Sequence, residues 1–142
     1  MAGASGPTEA QWAAAVAVVR EFAPTGRVLL ICHVSPDGDA LGSMLGFALG
    51  LQQLGVRQLQ CTFPGEFEVP APYADLPGVE LLVPEQDADP APDLVICFDT
   101  AAESRLGGLI GRVEALRPAG RSVVLDHHAS NTGFGGVNLV DA

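Results

Sequence analysis

The sequence contains no lysine: its seven basic residues are all arginines, set against 17 acidic ones, and the formal net charge at pH 7 is −10. The first absence removes every chemistry that needs a side-chain amine, so neither a phosphate-loop lysine nor a Schiff base can be built here. The shortage of positive charge argues against a groove for long-duplex DNA or long RNA, because such binding rests on neutralising many phosphates. Cysteine is scarce too. Cys32, Cys61 and Cys97 form no C-x-x-C pair and fall in or near apolar runs, which reads as small buried hydrophobes in a reducing cytosol. Cys32 beside His33 is a poor zinc pair, since neighbouring strand residues point to opposite faces. No stretch reaches the length of a membrane span, and no basic region followed by an apolar core opens the chain. The expected location is cytoplasmic, with no membrane partner.

Histidine is equally scarce, and its placement is informative. A chain of 142 residues with 48% hydrophobic and 17% charged residues has the composition of one globular domain with a real core. Its three histidines are His33, which follows the apolar run 28–32, and His127 and His128, which follow the apolar run 122–125 through Asp126. A third apolar run, 93–98, ends in Asp99. Three buried-type strands that each end in a metal-ligand residue match an open parallel sheet, which gathers its ligands at the C-terminal edge of the strands. The expected fold is therefore α/β, a mostly parallel sheet flanked by helices on both faces.

The first of these strand ends carries the densest chemistry. His33-Val34-Ser35-Pro36-Asp37-Gly38-Asp39 holds one imidazole and two carboxylates within seven residues. Read alone, Pro-Asp-Gly is a common turn and Asp39 a candidate N-cap for the following helix. Read with the other strand ends, the set outlines a hard-cation site, better suited to Mn or Mg than the thiolate sets that select structural zinc.

In chain order, residues 1–6 are small and expected to fray. Thr8 and Gln11 form a capping box for a helix whose apolar face is Trp12, Val16, Val19 and Phe22. Residues 27–33 read as a core strand, 40–54 as a helix ending at Gly55, and 57–62 as the next strand. Gly42, Gly46 and Gly50 leave one stripe of that helix bare, which suggests close packing on the sheet. Residues 63–92 are acidic and proline-rich, a surface connection around one minor strand at 79–83. Glu66, Glu68, Glu85, Asp87 and Asp89 are read there as a solvated face. A helix is expected over 103–116, with Leu106, Leu109, Ile110 and Val113 on one face. Strands at 122–125 and 137–140 close the pattern.

The motifs His33-x-x-Pro36-Asp37-Gly38-Asp39-Ala40-Leu41-Gly42-Ser43, then Asp99-Thr100, then Asp126-His127-His128 with Ser130, Asn131 and Phe134, resemble the DHH phosphoesterase superfamily. The likeness spans residues 33–141 and is strongest to its oligoribonuclease and phosphoadenosine-phosphate phosphatase (nanoRNase) branch. It implies that His33, Asp37 and Asp99 hold one metal ion, and that Asp39 and His127, with Asp99 bridging, hold a second. It implies that His128 meets the substrate phosphate, that Asp126 orients a ligand or the attacking water, and that Asn131 touches substrate. The implied activity is Mn-dependent hydrolysis of short oligoribonucleotides and of adenosine 3′,5′-bisphosphate through two-metal activation of water, with Mg as the other candidate ion.

A single-strand DNA exonuclease and a polyphosphatase or pyrophosphatase share the same ligands, and a non-catalytic metal- or nucleotide-binding module is an answer of a different class. The resemblance also implies that residues 1–142 are the N-terminal catalytic domain only. A further acidic ligand of the second metal and a C-terminal substrate-binding lobe would lie beyond residue 142, so the first metal site is expected to be the better preserved. Homodimerisation is left open.

Overall fold

The computed structural model describes residues 6–142, so the fraying expected of the first residues lies, for 1–5, outside the described part. Helix α1 (Glu9–Phe22) starts at the expected capping box, Thr8 and Gln11 each accepting the other's backbone N–H. Such a cap contributes about 1 kcal/mol. Strand β1 (Val28–Cys32) follows, then helix α2 (Gly38–Gln53), strand β2 (Leu59–Thr62) and strand β3 (Leu94–Phe98). A 3-10 segment (Glu103–Leu109) runs into helix α3 (Ile110–Leu116), and strands β4 (Ser122–Asp126) and β5 (Val137–Val140) complete the element order.

The five strands form one sheet in the order β2-β1-β3-β4-β5, and every pairing is parallel. Strands β1 and β3 are buried along their whole length, as their unbroken apolar sequences require of central parallel strands. Alternate residues serve two cores. Leu30, Cys32, Ile96 and Phe98 pack with α1 and α2 on one face, while Leu29, Ile31, Val95, Cys97 and Val124 pack with Leu106, Leu109 and Val113 on the other. Helical structure thus covers both faces of the sheet.

Strand order fixes where chemistry can sit. From β1 the chain passes through α2 to β2 on one side, and the next return places β3 on the other side of β1. The C-terminal ends of β1 and β3 therefore flank the point at which the winding reverses, the place where open parallel sheets leave a crevice. Register then sets the row. Cys32 pairs with Phe98, and Phe98 with Leu125, so the next residue of each strand (His33, Asp99 and Asp126) comes out at the same level of the sheet edge.

Several local expectations are corrected. The inward stripe of α1 centres on Ala15, Val18, Val19 and Phe22, which leaves Trp12 (51% exposed) and Val16 (44%) on its flank, walling an open apolar groove with Phe47 and Leu125. The stripe Gly42, Gly46 and Gly50 faces away from the sheet: a Cβ at any of the three would meet nothing within 4 Å. Helix α2 instead packs through Ala40, Leu41, Met44, Leu45, Ala48 and Leu51.

The island at 79–83 is a 3-10 turn (Val79–Leu81) with one bridge, Cys61 to Leu82, too short a pairing to propagate a strand. The helix expected over 103–116 is broken at Gly107, whose φ of 51° and ψ of −131° are open only to glycine, so its first half winds as 3-10 and only Ile110–Leu116 is α. Its expected apolar face survives the break, with Leu106, Leu109 and Val113 buried.

Candidate metal centre

His33 leaves β1 into the crevice and is buried. Its Nδ1 lies 2.7 Å from the Val34 carbonyl oxygen, an acceptor only, so Nδ1 carries the proton and donates it there. Nε2 is left with its lone pair, 3.8 Å from Asp37 Oδ1 and 3.6 Å from Asp99 Oδ2. A backbone carbonyl that fixes the tautomer in this way is the usual partner of a metal-ligating imidazole.

Asp37 is held by the helix it starts. It is the N-cap of α2, the role that the turn alone would have suggested for Asp39, and its Oδ1 accepts the Ala40 N–H at 2.9 Å. That hydrogen bond keeps the Asp37 carboxyl below the ordinary carboxylate range against the opposing effect of burial, with the field of His33 and further backbone N–H groups adding to it. Gly38 is required beside it because the Tyr73 ring lies where a Cβ would be, 2.9 Å away. Asp39, in the first turn, projects to the other side of the crevice and places Oδ2 3.0 Å from His127 Nε2.

Asp99 sits between these groups and is 7% exposed. Its Oδ2 faces His33, and its Oδ1 lies 2.7 Å from His127 Nε2 and 3.8 Å from His128 Nδ1. The backbone turns sharply to aim it, with φ of 54°; Ser35, with φ of 51°, is the other non-glycine residue at positive φ among the described residues. Both lie at the crevice, where such strain is characteristically stored.

His127 lies between Asp99 and Asp39, and the hydrogen bond to Asp99 raises its pKa against the opposing effect of desolvation, with the fields of Asp99, Asp39 and Asp126 adding to the rise.

The residues around His128 form a separate chain. His128 Nδ1 is 2.6 Å from Asp126 Oδ1, and Asp126 Oδ2 accepts from Asn131 Nδ2 at 2.8 Å. Burial alone would oppose ionisation of Asp126, but the hydrogen bonds from Asn131, His128 and the His127 backbone outweigh it and hold its carboxyl below the usual range. Asn131 also donates to the Thr100 carbonyl and accepts the Gly133 N–H, so its amide is fully engaged within the protein. With Nδ1 committed to Asp126, the open ring atom of His128 is Nε2, and His128 lines a cavity of about 340 Å³ together with His33, Asp37 and Asp99.

Seven of the eight residues singled out from sequence thus converge on one rim, and the eighth, Asn131, adjoins it through its hydrogen bond to Asp126. Two groups have donor atoms within 4.8 Å of one another: His33, Asp37 and Asp99; and Asp99, Asp126, His127 and His128. Within the second, His128 is paired with Asp126 at 2.6 Å and His127 with Asp99 at 2.7 Å, and it is the latter pair, with Asp39 3.0 Å from His127, that adjoins the first group through Asp99. Two imidazoles and three carboxylates, one shared, fit hard divalent cations and lack the thiolates of a structural zinc site. Sequence reading missed Arg105, which lines the same cavity. No local signal marks it, since in the sequence it is one of seven arginines.

A parallel α/β domain with a carboxylate and imidazole cluster at its switch point is the class that this geometry defines. The chain belongs to the DHH family, whose N-terminal domain matches residues 27–139. Over 116 residues it is 34% identical to a protein of Thermus thermophilus described as a bifunctional oligoribonuclease and PAP phosphatase, NrnA; the match covers 82% of this chain and 32% of that one. The chain therefore spans about a third of that relative's length. Its fold is shared with an exopolyphosphatase-related protein of Bacteroides fragilis, at a TM-score of 0.76 and 23% identity, over 94% of this chain and 39% of the other.

Proposed function

We propose that this chain is the catalytic domain of a phosphohydrolase that uses two divalent ions, Mn by preference, to cleave short oligoribonucleotides and to remove a phosphate from adenosine 3′,5′-bisphosphate. The observation that carries the reading is the disposition of Asp99, one buried carboxylate whose two oxygens face different histidines and so belong to two donor sets. His33, Asp37 and Asp99 would hold one ion, and Asp39, Asp99 and His127 the other. When bound, such a pair supplies Lewis acidity that lowers the pKa of a shared water and neutralises charge on phosphoryl oxygens. The substrate class rests on the likeness to the Thermus protein.

The chain's own groups supply orientation and proton placement. Val34 fixes the tautomer of His33 so that Nε2 stays free. Asp126 anchors Nδ1 of His128, which turns Nε2 toward the phosphoryl group. Asn131 serves this reading as a positioning residue, because its amide donates to Asp126, and its contact with substrate belongs to the same proposal. A reducing cytoplasm suits the three free, buried cysteines, and no helix among the described residues is long and apolar enough to cross a membrane.

The test is a substrate panel with Mn: 5′-labelled di- to pentaribonucleotides, adenosine 3′,5′-bisphosphate, long single-stranded DNA and pyrophosphate. Mononucleotide release and phosphate release from the first two are expected. Turnover confined to long DNA or to pyrophosphate moves the assignment to another activity of the family, and metal binding without turnover of any substrate makes the domain a binding module.

A further inference from the structure

We propose that Arg105 is the anion-binding side chain of this centre and positions a phosphoryl group of the substrate by donating to its non-bridging oxygens. The proposal rests on the phosphohydrolase reading and adds to it a residue and a ligand chemistry. Arg105 borders the cavity that His33, Asp37, Asp99 and His128 line. Its backbone is fixed there: the Arg105 carbonyl accepts the Val34 N–H at 3.0 Å, and its N–H donates to Ala102 at 3.1 Å. The 3-10 segment is thereby tied to the loop that carries His33 and Asp37, and the side chain starts from a held position.

What the guanidinium does not do is equally telling. Its Nη2 comes within 3.4 Å of His33 Nδ1, but that nitrogen already gives its proton to Val34 at 2.7 Å and has no lone pair to accept with. The carboxylates of the rim are turned elsewhere, Asp37 toward His33, Asp39 toward His127, Asp99 toward both and Asp126 toward His128, and among the described residues Arg105 forms no ion pair with any of them. Four of the other six arginines are engaged inside the protein: Arg27 with Asp89, Arg112 with the carbonyls of Ala88 and Asp89, Arg117 with that of Phe134, and Arg121 over the Phe22 ring. Arg105 is thus a cation at a densely acidic rim, with its donors directed to no protein acceptor among the described residues.

A planar fork of N–H donors matches phosphate geometry, and a phosphate is the ligand that both a guanidinium and a pair of dications attract. In a chain of net charge −10 that combination also answers how an anionic substrate is drawn in.

The experiment compares the protein with Arg105→Ala and Arg105→Lys in three measurements: Mn calorimetry, titration of the Mn-loaded protein with inorganic phosphate, and steady-state hydrolysis of adenosine 3′,5′-bisphosphate. Expected for Arg105→Ala are Mn affinity within about 2-fold of the parent and phosphate affinity at least ~10-fold weaker, the scale of a lost charge-assisted hydrogen bond. KM should rise by a similar factor while kcat changes less, with Arg105→Lys between the two. Unchanged phosphate affinity in Arg105→Ala, no phosphate binding by the parent, or a parallel loss of Mn and phosphate affinity each overturn the proposal, the last by making Arg105 a prop for His33. A parent that binds phosphate at Arg105 but hydrolyses nothing refutes the phosphohydrolase reading instead, so the two failures are distinguishable.

Discussion

If Asp99 serves two ions, replacing it must weaken both, and Asp99→Asn is the substitution that isolates this effect. Asparagine has the same shape and, with aspartate, is the non-glycine residue that best tolerates the φ of 54° at this position, so the fold should hold. What is lost is one negative charge from a site 7% exposed. A unit pair at ~4 Å is worth ~1 kcal/mol in bulk water, so a carboxylate facing a dication contributes about 2 kcal/mol even at that limit. This is a lower bound, because Asp99 is buried and a ligand approaches closer. It corresponds to ~30-fold in affinity for each ion.

Calorimetric titration with Mn should therefore show two binding events in the parent and both weakened at least ~30-fold in Asp99→Asn. Asp37→Asn should weaken one event and His127→Asn the other, since each belongs to a single proposed donor set. Circular dichroism checks that all variants fold. Two unperturbed events in Asp99→Asn would refute the shared-ligand argument outright, and loss of one event alone would assign Asp99 to a single ion.

Three further outcomes follow from the same geometry. Asn131→Ala removes the hydrogen bond that restrains Asp126 Oδ2, and kcat should fall ~10- to 100-fold with Mn affinity retained, as for other groups that orient catalytic residues; an equal loss of Mn affinity would place Asn131 in support of the ligands. In the metal-free protein the raised pKa of His127 means that its ion pairs stabilise the fold fully below the unfolded value of 6.5 and are lost as pH rises through the folded value. The melting temperature of the parent should therefore exceed that of His127→Asn by more at pH 5.5 than at pH 9, and a pH-independent gap would contradict the pairing with Asp99 and Asp39. Burial raises the thiol pKa of Cys32 and pushes those of Cys61 and Cys97 up to about 12. A thiol reagent at pH 8 should label the native protein only as fast as it unfolds, and immediate labelling would refute the packing of β1, β2 and β3 around these residues.

The parts of the molecule that could be read without coordinates are those decided by burial. Strands β1 and β3 are covered on both faces, so their sequences are apolar throughout, and their ends are marked by the first residue that cannot be buried unpaired: His33 in one, Asp99 in the other. Parallel pairing in register then carries those residues to one edge without further information, which is why the cluster of imidazoles and carboxylates was legible. The parts decided by local backbone chemistry were not. Gly107 and Gly108 break a run that is apolar at helical spacing, and that spacing alone does not reveal which glycine adopts a positive φ. The stripe Gly42, Gly46 and Gly50 has the spacing of a close-packing face, yet α2 has a second face richer in Leu, Met and Ala, and burial of larger side chains decides which one turns inward.

Arg105 escaped for a related reason, and it shows where sequence reading of such a centre stops. Metal ligands announce themselves because imidazoles and carboxylates at strand ends have few structural uses, whereas an arginine on a surface segment has many. Only the placement of its neighbours separates the cases: the tautomer of His33 set by Val34, and the orientation of each rim carboxylate toward an imidazole. The ligand geometry is fixed by strand register, which sequence encodes densely. The geometry of the groups that would meet substrate depends on loop hydrogen bonds, such as the Val34 N–H to Arg105 carbonyl, that join segments 71 residues apart and carry no local signature.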